Sequence, residues 1–149
     1  MKILRFVWLI WMGSVLSSSA FAESDPIYTS WRDNVAVGGY DVVSFYSGKP
    51  IKGDRDYQSV HAGAVWYFST EANLDLFRIN PEAFIPQYGG YCAWAVANQK
   101  LAKGSPKYWH VRDGKLYLNF NARIQQQWER DIPGFIDAAN GEWPEILSD

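Results

Sequence analysis

Four side chains are of types that could do chemistry: the lone thiol Cys92, the two imidazoles His61 and His110, and the Asp41 carboxylate beside a glycine pair. Cys92 follows Tyr88-Gly89-Gly90-Tyr91 and opens a run of small residues and helix formers reaching Lys100. Backbone N–H groups and the positive end of a helix dipole favour a thiolate, which is both a ligand and a nucleophile. Thiolate with imidazole suits copper or another transition metal. Cys92, His110 and His61 are therefore the candidate metal ligands. The same thiol could instead act as an enzyme nucleophile toward peroxide, a disulfide or an electrophile. Against both stands the ordinary reading of a lone Cys as a small buried apolar side chain. The two histidines are not closely spaced, so a metal site requires them to converge with Cys92 in three dimensions.

A metal-independent alternative is an aromatic groove for a small ligand or a partner protein. Its candidate residues are Tyr40, Asp41, Tyr88, Gly89, Gly90, Tyr91, Trp94 and Tyr117, with phenol hydroxyls orienting the ligand. Aromatic residues make up 17% of the chain, enough to line either a core or a groove. Asp41 after Gly38-Gly39-Tyr40 has a competing role, bonding its own turn backbone. No Ser-His-Asp order, phosphate loop or dinucleotide fingerprint is present, which leaves a standard hydrolase or nucleotide enzyme without support.

The elements that must position these groups follow from patterning. Val42 to Tyr46 reads as a short strand or turn. Tyr57, Ser59 and His61 alternate, Ala62-Gly63 turns the chain, and Ala64, Trp66 and Phe68 form a second strand, giving a β-hairpin. Ser69 or Thr70 caps a helix carrying Leu74 and Phe77 inward. Asn80-Pro81-Glu82 starts another short helix, with Pro at its first position. Asp113-Gly114 between alternating segments is the preferred type I′ turn. It pairs Val111 with Leu116 and Trp109 with Leu118 on a core face, and His110 with Tyr117 and Tyr108 with Asn119 on the other. Asn121 caps a helix bearing Ile124 and Trp128, and Trp143 and Ile146 pack a C-terminal tail. No internal repeat or low-complexity segment stands out. The expected fold is α+β: a small antiparallel sheet built from two β-hairpins with several short packed helices.

At the N-terminus, Lys2 and Arg5 precede an apolar run from Phe6 to Leu16 and a small-residue site, Ala20-Phe21-Ala22. This is the pattern of a secretory signal peptide over residues 1–22, cleaved after Ala22. The run falls short of the roughly 20 apolar residues of a membrane span, so no span is expected in the mature chain, 23–149, read as a single domain. A periplasmic or secreted location follows. Removing Lys2 and Arg5 from the 14 Lys and Arg leaves 12 against 16 Asp and Glu, a mature charge of about −4 with no basic run. Nucleic acid is a poor partner for such a surface. One Cys excludes an internal disulfide.

Gly39-Tyr40-Asp41-Val42-Val43-Ser44-Phe45, Trp66-Tyr67-Phe68-Ser69, Phe77 with Asn80-Pro81, and Tyr88-Gly89-Gly90-Tyr91-Cys92-Ala93 together resemble the exported bacterial YHS-domain proteins. The resemblance continues through Leu116-Tyr117-Leu118-Asn119-Phe120 to Trp143-Pro144. It implies a YHS-type domain with a C-terminal extension and an association with heavy-metal handling. Metal-linked members resemble Tyr-Tyr-Phe-Cys-Ser-x-x-Cys, then Phe and Asp-Pro. Here the two thiol positions of that pattern fall on Ser69 and Asn73, while Phe77 and Pro81 are kept. A soft multi-thiolate site is therefore not carried over, and the function implied is a periplasmic binding module for a transition metal, copper first, using Cys92 with histidine help.

Overall fold

The computed structural model describes residues 23–148; the signal-peptide reading of residues 1–22 lies outside them. The architecture is α+β. Strands β1 (Asp54–His61) and β2 (Ala64–Phe68) form one antiparallel hairpin, followed by α1 (Glu71–Ile79). A short helix α2 (Ala93–Ala97) precedes a second hairpin, β3 (Ser105–Arg112) with β4 (Lys115–Asn119), and then α3 (Ala122–Trp128) and α4 (Ile132–Glu142). The hairpins stay separate two-stranded sheets rather than merging into one. Of the strand and turn readings of Val42 to Tyr46, the turn holds: a 3-10 turn spans Ser44–Ser47. No helix among the described residues is long and apolar enough to cross a membrane.

Local chemistry explains the elements. Thr70 caps α1 by accepting the Asn73 N–H, and Glu71 sits at the positive end of the helix. Asn121 caps α3 the same way, accepting from the Ile124 N–H at 2.9 Å. Asp131 caps α4 ahead of Pro133. In the second hairpin Trp109, His110 and Val111 pair with Leu118, Tyr117 and Leu116 as the turn chemistry predicts. Beyond Trp109 the expected pairing fails: an irregularity puts Ser105, not Tyr108, opposite Asn119. Nor does β4 divide into a core face and an open face. Leu116 and Leu118 enter the core built on the first hairpin, Tyr117 enters a second core beneath α2 and α4, and Asn119 is buried as well.

The first core gathers Trp66, Phe68 and Phe77 against Phe45 and Val42. Phe77 stands 5.0 Å from Phe68 and 5.3 Å from Trp66 between ring centroids, so α1 is clamped onto the hairpin by tilted aromatic contacts. Two polar side chains are buried beside that region, Ser44, whose hydroxyl donates to the Asp41 carbonyl, and Asp41 itself, which is fully buried. Asp41 accepts the Val43 N–H on Oδ1, and on Oδ2 the Ser69 N–H, the Ser69 hydroxyl and the Asn73 amide, at 2.6–2.9 Å. It joins the glycine turn, the end of β2 and the first turn of α1. Replacing Asp41 with Ala strands four donors and should destabilise the fold by about 3 kcal/mol, since leaving buried donors of a charged hydrogen-bond set unpaired costs that much. A urea unfolding midpoint within error of the parent would contradict this.

Candidate functional site

Cys92 lies at the start of α2, as its position after Gly89-Gly90 suggests, but it is 1% exposed and α2 is only five residues long. Burial pushes its thiol pKa up. The N–H groups of Ala95, Phe120 and Trp94 pull it down without prevailing. Of the two readings of Cys92, its burial favours the small buried side chain over the thiolate: desolvation of the charged form outweighs the donors.

The three candidate metal ligands are not brought together. Cys92 bridges Leu118 on one edge of β4, while His110 faces Tyr117 across the opposite edge. With β4 between them, their backbones stand two strand spacings apart, about 10 Å. His61 ends β1 in the other hairpin. Its Nε2 lies 3.1 Å from Glu82 Oε1, and its ring meets Phe77 edge-on at 5.9 Å. Among the described residues, no group of three or more His, Cys, Asp and Glu is arranged to hold a metal ion.

The aromatic candidates divide. Tyr117 is buried against Trp128 at 5.5 Å, and Trp94 is half-buried beside Phe135 at 6.4 Å, both as core packing. The Tyr40 ring carries the Lys52 ammonium 5.0 Å from its centroid, and Asp41 is consumed by its own hydrogen bonds. Tyr91 donates its hydroxyl to the Asp25 carbonyl at 2.8 Å and fastens the N-terminal segment. That segment also passes over Gly89, where a Cβ would collide with the Pro26 carbonyl and the Tyr28 N–H bonds the Gly89 carbonyl. Only glycine admits so close a backbone approach. Gly90 completes the turn at φ 85°.

Tyr88 and Gly89 do open onto a cleft. It has a volume of about 510 Å³ and lies where the segment through Pro26 and Ile27, the run Ile85 to Gly89, and the end of α4 with Asn140 and Trp143 meet. Tyr88 is held at φ 57°, a left-handed conformation unusual for a non-glycine residue. Its hydroxyl donates to Asn140 Oδ1 at 2.9 Å, and burial raises its pKa, helped by Tyr117 and Asp137. Among the described residues, Glu82 is the one charged residue on the lining. Sequence reasoning missed Trp143, Asn140 and Glu82. Trp143 reads as tail packing, and no local pattern signals that α4 folds back onto the glycine turn.

The YHS domain family matches residues 42–88, so this is a YHS-domain-containing protein. That family is linked to metal binding. No curated protein and no solved structure matches the chain. In the matched stretch, the two positions where the resemblance places thiols, Ser69 and Asn73, are donors to Asp41 at 2.6 and 2.7 Å. At those two positions this chain carries a hydroxyl and an amide, both committed to the Asp41 carboxylate.

The raised thiol pKa has a consequence for stability. Above about pH 9, the ordinary thiol value, the unfolded chain loses a proton that the folded chain keeps, so stability falls as pH rises. Urea midpoints measured from pH 8 to 10 should decline, and Cys92→Ala should flatten that decline. An equal slope in parent and variant would show that the thiol does not contribute.

Proposed function

We propose that this chain is a YHS-type binding module whose site is the cleft beside Tyr88, for a small organic ligand with an apolar body and an amine head. The observation that supports this reading is the cleft itself. Its volume falls in the range of small-molecule sites, its walls are the Trp143 ring with Ile27, Ile85, Pro26 and Pro86, and its charge is the Glu82 carboxylate. An apolar wall takes the ligand body, and a single acid with an aromatic face favours a cation. The proposed role is binding. Benzylamine is a suitable probe, followed by Trp fluorescence. Saturable binding is expected, weakened at least tenfold by Trp143→Ala and by Glu82→Gln and unaltered by Cys92→Ser. Absence of saturable binding, or insensitivity to Trp143→Ala, rejects the reading.

A second reading, transition-metal handling with copper first, draws on the family's link to metal binding. Burial of Cys92 moves its ligand set from the thiol toward His61 and Glu82, an imidazole and a carboxylate 3.1 Å apart, of which Glu82 lines the same cleft. Metal content by native mass spectrometry separates the two forms. Copper lost in His61→Ala but retained in Cys92→Ser supports that pair, and the reverse restores the thiol. Export to the periplasm, from the N-terminal signal pattern, is part of this proposal; cell fractionation that leaves the full-length chain in the cytoplasm would remove it.

A further inference from the structure

We infer that the chain is a tandem duplication of one supersecondary unit, residues 38–77 and 89–128, and that Cys92 is the second unit's replacement for Asp41, a buried fastener beneath the glycine turn. The two copies align with a constant step of 51 residues and no insertion. Gly38-Gly39-Tyr40 falls on Gly89-Gly90-Tyr91, Lys52-Gly53 on Lys103-Gly104, and Gly63 on Gly114. Few other identities remain, and the case rests on backbone geometry.

Val37, Gly38 and Gly39 have φ of 51, 57 and 76°; Tyr88, Gly89 and Gly90 have 57, 60 and 85°. A left-handed triplet that begins on a non-glycine residue is costly and rare, and here it occurs twice at the same step. The Gly53 N–H bonds the Gly39 carbonyl at 2.9 Å, and the Gly104 N–H bonds the Gly90 carbonyl at 3.2 Å. The Asp41 N–H bonds the Ile51 carbonyl at 2.9 Å, and the Cys92 N–H bonds the Ala102 carbonyl at 2.8 Å. Tyr40 bridges Lys52 as Tyr91 bridges Lys103. The hairpins share their register, with Gln58 on Tyr67 and Trp109 on Leu118, and share the irregularity that precedes it. Each ends in a capped helix, Thr70 receiving the Asn73 N–H and Asn121 the Ile124 N–H. A hairpin followed by a helix is common. A shared bulge, register, strained triplet and cap, all at one step, is what copying a single unit produces.

The exchange at Asp41 and Cys92 then has a physical reason. Asp41 takes backbone N–H groups from Val43 and Ser69 and side-chain donors from Ser69 and Asn73. At the same step, the Cys92 sulfur lies near the backbone N–H groups of Trp94 and Phe120. The equivalent backbone positions are kept, with one addition: the buried Asn119 Oδ1 accepts the Cys92 thiol at 3.8 Å and the Trp94 N–H at 3.4 Å. The side-chain donors are gone, replaced by Phe120 and Ile124. A buried carboxylate left with two donors would be an underpaired charge, whereas a neutral thiol fills the same place without that cost. The YHS match, residues 42–88, takes in the first copy from Val42 onward, and the second is a YHS-type unit concealed by these exchanges.

Grafting tests the equivalence. Cys92→Asp alone should lower the urea midpoint markedly. Cys92→Asp with Phe120→Ser and Ile124→Asn rebuilds the donor set of the first copy and should recover at least half of that loss. A triple variant no more stable than the single one overturns the inference, because unrelated positions would only accumulate buried polar groups. The unmodified protein provides a second measurement: as a fastener, Cys92 should react with an aromatic disulfide reagent at least a hundredfold more slowly folded than unfolded. Reaction of the folded protein within tenfold of the unfolded rate assigns the thiol to an open site and rejects the fastener role.

Discussion

A carboxylate taken fully out of water destabilises a fold by several kcal/mol unless its oxygens are paired. Asp41 is such a group, and its pairing dictates the first half of the molecule. Its donors come from the turn after Gly39, from the end of β2 and from the first turn of α1. None of these can shift without orphaning the charge. The Thr70 cap fixes where α1 begins, which fixes Asn73, which in turn supplies the amide that Asp41 needs. The aromatic clamp of Phe77 on Trp66 and Phe68 contributes more buried area, but area is non-directional. The acid selects the angle at which helix and hairpin meet.

The same constraint bears on metal chemistry. A metal centre and a buried acid with its donors are two ways of cross-linking a turn, a strand end and a helix start. Where the family resemblance places thiols, this chain has a hydroxyl and an amide turned toward a carboxylate at 2.6 and 2.7 Å. Those donors are hard and already committed, and they offer a soft metal nothing. The cross-link of Asp41 with Ser69 and Asn73 therefore leaves no uncommitted soft donor among these three side chains.

Much of the local structure was legible in the residues. Asp113-Gly114 announced its hairpin and the register next to the turn, and Thr70 and Asn121 announced their helices. These signals depend on a few neighbouring residues, so sequence carries them directly. What escaped is long-range or conformational. Both faces of β4 are buried because separate cores lie on each side, and no strand pattern shows that. The positive φ of Val37 and Tyr88 cannot be read from a valine and a tyrosine, since both residue types disfavour it. For the same reason the repeated unit does not stand out by residue type: its copies agree in dihedrals, register and caps, while their core residues have been exchanged.

The candidate site shows the same division between local and distant information. Tyr88 and Gly89 were recognisable beside the cysteine, yet the cysteine itself turned inward. The walls that make a cleft of them come from Trp143 and Asn140, more than fifty residues further along the chain. The Tyr88 hydroxyl reaches Asn140 at 2.9 Å, and the Trp143 ring lies 6.0 Å from both the Tyr88 and Tyr91 rings. The end of α4 is thereby fastened to a turn already held in a strained conformation. Such strain persists only when surrounding contacts over-determine it. The contacts that hold Tyr88 are also those that shape the cleft, so a ligand seated there would bear on the conformation of the glycine turn as well as on its own pocket.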